Sequence, residues 1–179
     1  MRFPRAVPSP GSRGAIVISN GVFQDRRTLT GRIAQDFKDA GIPADLSEDL
    51  GLARWQKLVW NVPMSGLSVV LDTDTRALMA DPHARALVEA IMREVVAGAL
   101  ACGHTIREDF PQKMIDMTLA MPPYHASMKI DFDQHKPMEV DAIYGNPVRR
   151  AHAAGGAMPL VETLYRQLMF LDARNCAGR

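Results

Sequence analysis

Four polar residues on one stretch have the spacing to act together. Arg54, Lys57, Asn61 and Ser65 stand three, four and four positions apart, the interval that stacks side chains on one face of an α-helix. Trp55, Leu58, Val59 and Val62 form the apolar side of the same segment. An amine, an amide and a hydroxyl flanked by tryptophan and valine suit the wall of a cleft that binds something small and oxygen-rich. The same spacing equally describes an ordinary amphipathic helix with its polar face in water, and on spacing alone that is the commoner outcome. Pro63 has no N–H to give to the Val59 carbonyl, so a kink or a free acceptor is expected beside Asn61. Ser127 and Glu139 are the other polar residues in a helical or pre-helical setting. Ser127 reads equally well as a helix N-cap. Glu139, two residues after Pro137, could do no more than favour a helix dipole.

Composition removes several other chemistries. The 179 residues carry a formal net charge of +1 and are 47% hydrophobic, so nothing points to nucleic acid or to an anionic membrane surface. The early Arg2, Arg5 and Arg13 are spaced by Pro, Ser and Gly and read as a solvated tail. No apolar run reaches membrane-spanning length, and the first fifteen residues lack the apolar core of a signal peptide. The two cysteines, Cys102 and Cys176, give no metal spacing and no disulfide framework, which fits a reducing cytoplasm. His83, His104, His125, His135 and His152 show no HExxH pattern and read as surface or helix-end residues.

The elements that must position the polar residues are helices. Residues 1–13 have no period and read as an irregular lead-in. Ala15 to Ile18, the Ser19-Asn20-Gly21 turn and Val22-Phe23 suggest a hairpin or strand remnant. Strand signal is expected nowhere beyond the first 25 residues. From about Thr28, Ile33, Phe37 and Ala40 share a helical face that ends at Gly41-Ile42-Pro43. Asp45 or Ser47 is expected to start the helix that carries Lys57. Gly66 marks a break or a close-packing point. Asp81-Pro82 starts a helix of about twenty residues, with Leu87, Ile91, Val95 and Ala99 inward. Glu94 lies nearer the apolar face and reads as edge-exposed in preference to a buried acid with a partner. Further helices are expected over Phe110–Ala120, from Pro137 with an interruption at Gly145-Asn146-Pro147, and from Pro159, with Leu160, Leu164, Leu168 and Leu171 as its seam; Ser127–Asp131 reads as a short segment before a polar loop. The body is therefore an all-α multi-helix domain.

Arg54-Trp55-x-Lys57-Leu58-x-x-Asn61 is followed some sixty residues later by Ala126-Ser127-Met128-x-x-Asp131, then by Glu139-Val140-Asp141-x-x-x-Gly145. In that order, and with the closing Pro159-Leu160 helix, these motifs resemble the carboxyl-terminal domain of the ketopantoate reductase (2-dehydropantoate 2-reductase) family, over roughly residues 14 to 175. Each motif alone is weak; the combination carries the likeness. The resemblance implies a helical domain facing a Rossmann domain, with NADPH delivering hydride to the keto carbon of a branched 2-oxo acid in pantothenate biosynthesis. By the same resemblance, Lys57 is the general acid at the carbonyl and Glu139 hydrogen-bonds the substrate and orients the lysine. Asn61 holds substrate hydroxyl or carbonyl groups, and Ser127 binds the carboxylate. Ser65 stands where the family has a second asparagine, which loosens the expectation from ketopantoate to a small 2-oxo acid.

The chain has no GxGxxG, the turn that cradles a dinucleotide pyrophosphate. The expected layout is residues 1–27 as a lead-in with a remnant of a nucleotide-binding domain, 28–175 as the helical substrate and dimerisation domain, and 176–179 as a tail. Binding of NADPH by this chain alone is not expected. The chain is then the substrate half of a reductase, to be completed by a separate nucleotide-binding chain or by sequence upstream of Met1. The contrasting expectation is a non-catalytic helical module for dimerisation or partner binding. A homodimer is expected because apolar surface along residues 14–50 would seek a partner.

Overall fold

A computed structural model describes residues 16–19, 27–47, 49–123 and 125–177. The chain forms two compact units, Met1–Ala53 and Arg54–Arg179, so residues 28–53 group with the amino-terminal strand.

In the first unit, β1 (Ile16–Ser19) and β2 (Ala44–Ser47) pair in parallel, Ile16 opposite Ala44 and Ser19 opposite Ser47. Parallel neighbours need a crossover, and α1 (Arg27–Asp39) supplies it. One expectation is corrected here: residues 44–47 form a strand rather than the start of a helix. β1 is the strand remnant expected there, and the possible hairpin return, Val22-Phe23, lies outside the described residues. Gly41 ends α1 with φ +76°. Its N–H bonds to the Lys38 carbonyl and that of Ile42 to Phe37, each at 2.9 Å, a closure that needs the left-handed conformation glycine adopts freely. This turns the chain into β2. The buried face of α1 is also displaced by one residue: Ala34 is buried while Ile33 is exposed.

Helix α2 (Leu50–Val70) starts at Asp49, whose carboxylate accepts the Leu52 amide at 2.9 Å. Ser47 gives its hydroxyl to the Asp49 carbonyl, so neither expected starter residue is the cap. The helix continues through Pro63, and Val62 to Val69 are all buried. Then follow α3 (Thr75–Ala80), capped by Asp74, and α4 (Pro82–Ala101), capped by Asp81, whose carboxylate accepts from His83 and Ala84. Proline at the first position and aspartate before it produce that start as the sequence implies. Val88, Ile91, Met92, Val95 and Ala99 are the buried face of α4, each large aliphatic side chain stabilising by roughly 1.5–3 kcal/mol on burial.

Helix α5 (Phe110–Ala120) and α6 (Ser127–Asp133) lead to a π-helical turn, Asp141–Gly145, which runs directly into α7 (Asn146–Ala153). Pro137 does not open a helix. The turn begins after Glu139, whose carbonyl takes the first helical bond, from the Ile143 amide at 3.1 Å. Helix α8 (Pro159–Ala177) packs on α4 and on the π turn and buries Val161, Leu164 and Leu168, while Leu160 is exposed, so the seam lies one residue from its expected start. Glu94 is not a free edge residue: its carboxylate accepts the Leu160 and Val161 amides. No helix among the described residues is long and apolar enough to cross a membrane.

Candidate functional site

The polar stripe of α2 does not run along water. Arg54 and Lys57 are exposed, Asn61 is half-buried and Ser65 is 4% exposed. The stripe therefore leads from solvent into the interior, and the surface-helix reading fails for its carboxyl-terminal half.

Three side-chain bonds fix this helix. The Trp60 indole donates to Thr118 Oγ1 of α5 at 2.9 Å, and Thr118 in turn donates to the Met114 carbonyl at 2.7 Å. The Tyr144 hydroxyl, in the π turn, donates to the Val62 carbonyl at 3.0 Å. Just past the helix end, Asp72 takes the ammonium of Lys129 of α6 at 2.8 Å. Gly66 supplies close packing, not a break: a Cβ there would lie 2.7 Å from Leu164 Cδ2 and 2.7 Å from the Tyr144 oxygen.

Ser127 opens α6 and is exposed; Ala126 is its N-cap, so Ser127 does not have the capping role that its position first suggests. Glu139 is exposed immediately before the π turn. Among the described residues, no direct hydrogen bond or ion pair joins the side chains of Lys57, Ser127 and Glu139. What connects their elements is a neighbour of each: Lys129, two residues after Ser127, and Tyr144, five after Glu139, both reach the α2 region. Reading the residues one by one assigns no role to either. Lys129 and Asp133 stand at i, i+4, a usable signal; the contact of Tyr144 with Val62 spans 82 positions and has no local signal.

The charges are clustered around these connectors. Lys129 is buried, and burial works against its charge. Its bonds to Asp133 and Asp72 outweigh that and raise its pKa above the usual lysine value. Hydrogen bonding to Lys129 holds Asp72 below the usual carboxylate range. Asp72 also sits at φ +49°, a backbone conformation strained for a residue with a side chain. Arg149 grips Asp141 with both nitrogens, at 2.9 and 2.8 Å, and Tyr165 donates to the same carboxylate at 3.0 Å. Those bonds hold the Asp141 carboxyl below its ordinary pKa.

No group of three or more His, Cys, Asp or Glu residues suited to a metal ion occurs among the described residues. Four of the five histidines are exposed and His104 is intermediate. β1, α1 and β2 form a single βαβ unit, and the sequence joining its first strand to its helix, residues 20–26, has one glycine, Gly21. A pyrophosphate cradle needs several glycines in that turn, which the sequence of residues 20–26 does not have.

Residues 49–172 match the family model for the ketopantoate reductase PanE/ApbA C terminal domain. A 2-dehydropantoate 2-reductase of Nostoc sp. is 52% identical over 148 residues, covering 83% of this chain and 46% of that protein. The crystal structure of 2-dehydropantoate 2-reductase from Methylococcus capsulatus superposes with a TM-score of 0.79 at 37% identity, covering 89% of this chain and 51% of the other. A D-mandelate dehydrogenase with NADH and anilino(oxo)acetate gives a TM-score of 0.79 at 19% identity, covering 90% and 67%, a likeness of fold alone. The chain spans about half the length of the reductases it matches.

Proposed function

This chain belongs to the ketopantoate reductase family, and we propose that its helical unit is the substrate-binding part of an NADPH-dependent reductase of ketopantoate or another small 2-oxo acid. NADPH supplies the hydride in that reaction, and in this reading holding it falls to residues other than these. Lys57 donates a hydrogen bond to the keto oxygen. As negative charge builds there, the ammonium stabilises it and gives up a proton, leaving a neutral amine and a 2-hydroxy acid. Ser127 binds the carboxylate and Asn61 the hydroxyl or carbonyl groups. Ser65 lies at the deep end of the same stripe. Glu139 hydrogen-bonds the substrate and orients Lys57. The setting is cytoplasmic, and the assembled form is a homodimer or a pairing with a nucleotide-binding chain.

What supports this reading is that all five residues fall inside the matched span 49–172. The test is thermal unfolding of the chain with and without millimolar ketopantoate. Ligand at 100 times its Kd stabilises by about 2.7 kcal/mol, so a clear rise in Tm is expected, and Lys57→Ala or Ser127→Ala should abolish it. An unmoved Tm would favour a second reading, a non-catalytic interaction module. That alternative draws on Leu119 of α5 and Phe170 of α8, which are 54% and 61% exposed.

A further inference from the structure

Tyr144 is a large side chain with no exposure at all. Its hydroxyl is not idle in the core: it donates to the Val62 carbonyl of α2 at 3.0 Å. That carbonyl is the acceptor of the i, i+4 rung of α2 whose donor residue is Gly66. The hydroxyl thus meets a rung of the helix one residue beyond Asn61. Three rungs earlier the ladder is already altered, because Pro63 has no N–H for the Val59 carbonyl. Side-chain insertion at such a place sets the local path of a helix. Gly66 is required for the approach, since a Cβ there would stand 2.7 Å from the hydroxyl.

The other end of the bridge is equally constrained. Tyr144 is the fourth residue of the π-helical turn Asp141–Gly145. Such turns carry an extra residue, which re-aims the side chains around them and recurs at functional sites. The Glu139 carbonyl is bonded to the Ile143 amide at 3.1 Å, so Glu139 is tied to the turn's backbone. Asp141 is held by Arg149 and Tyr165. The turn is thus held at Asp141, and the Tyr144 hydroxyl hydrogen-bonds it to the stripe-bearing helix.

We propose that Tyr144 is a positioning residue: clamped on the Val62 carbonyl, it sets where Glu139 stands relative to Lys57 and Asn61, and thereby sets the affinity for the 2-oxo acid. The proposal rests on the functional reading above. It assigns Tyr144 no contact with the substrate.

Calorimetric titration of ketopantoate into the full chain tests it, with Tyr144→Phe, Glu139→Gln and the double variant. Tyr144→Phe keeps the ring and removes the hydroxyl. Affinity should fall about tenfold, with helicity by circular dichroism unchanged. Because the tyrosine acts through Glu139, the double variant should bind no more weakly than Glu139→Gln alone. A merely structural role predicts that the losses multiply, and that result would overturn the proposal. So would Tyr144→Phe binding within twofold of the wild type. If Tyr144→Phe does not fold, Gly66→Ala displaces the same hydroxyl from the other side and should show the same coupling to Glu139. A wild-type chain that does not bind brings down the functional reading and this proposal together. Wild-type binding that depends on Lys57 but ignores Tyr144 brings down this proposal alone.

Discussion

Glu94 of α4 caps α8 across the fold: its carboxylate oxygens accept the Leu160 amide at 3.1 Å and the Val161 amide at 2.8 Å. Pro159, the first residue of α8, has no N–H, so these are the amides that an N-cap side chain would otherwise satisfy. The negative charge also meets the positive end of the helix dipole. Glu94→Ala should therefore cost about 1–2 kcal/mol, the range for losing a cap. Glu94→Gln keeps an acceptor and should cost less. Urea unfolding measures both; equal stability of Glu94→Ala and wild type would show that water replaces the carboxylate without loss.

Gly66 and Gly31 separate two opposed effects of the same substitution. Alanine in place of glycine inside a helix is favoured by about 1 kcal/mol. At Gly31 of α1 a Cβ meets nothing within 4 Å, so Gly31→Ala should raise stability by roughly 0.5–1 kcal/mol. At Gly66 the Cβ would collide with Leu164 and the Tyr144 hydroxyl, both at 2.7 Å and both buried. Overpacking of that kind costs about 1–3 kcal/mol, so Gly66→Ala should lower Tm despite its propensity gain. A stabilised Gly66→Ala would mean that Leu164 and Tyr144 can retreat freely.

Helices with a strong local signature are legible from sequence here. Asp81-Pro82 at one end and Gly103 at the other delimit α4, and Phe110–Ala120 is found as expected. β2 is not legible because four residues, Ala44 to Ser47, carry too little period; their strand state depends on pairing with β1, 28 positions earlier. The helix expected from Pro137 starts later because the Met138 amide bonds instead to Asp172 of α8, at 2.9 Å, a contact no local pattern announces. The candidate site divides in the same way. Lys57, Asn61 and Ser65 declare themselves by spacing. That Ser65 is buried, and that Tyr144 and Lys129 tie the distant elements to α2, follows from tertiary packing alone.

The Lys129 cluster should respond unequally to loss of its two kinds of partner. The lysine side chain is 7% exposed, while those of Asp72 and Asp133 are 84% and 49% exposed. Removing the lysine returns two carboxylates to water, so Lys129→Met should cost little, within about 1 kcal/mol. Removing both acids leaves a buried ammonium without compensation. The Asp72→Asn, Asp133→Asn double variant should therefore cost more than Lys129→Met. Chemical denaturation of the two variants decides it; a Lys129→Met variant weaker than the double aspartate variant would show that the acids, not the lysine, are the vulnerable side.

The pH dependence should show two separate limbs. Burial pushes the Tyr144 phenol well above its usual pKa, only partly opposed by the Gly66 N–H, and Lys129 is raised by its two carboxylates. Both keep a proton in the native state that the unfolded chain releases near pH 10. Their contribution is therefore complete below about pH 10 and is lost progressively as the pH rises beyond it. Asp72, Asp109 and Asp141 are shifted the other way, by their bonds to Lys129, Arg107 and Arg149. Their contribution is present above about pH 4 and is lost as the pH falls through their lowered native values. Tm followed against pH should show a plateau between the limbs. The gap between wild type and Tyr144→Phe should narrow above pH 10. In a spectrophotometric titration, at least one of the three tyrosines should form phenolate only as helicity disappears. Ionisation of all three while the circular dichroism is still native would show that the Tyr144 hydroxyl is open to solvent and does not bridge α2.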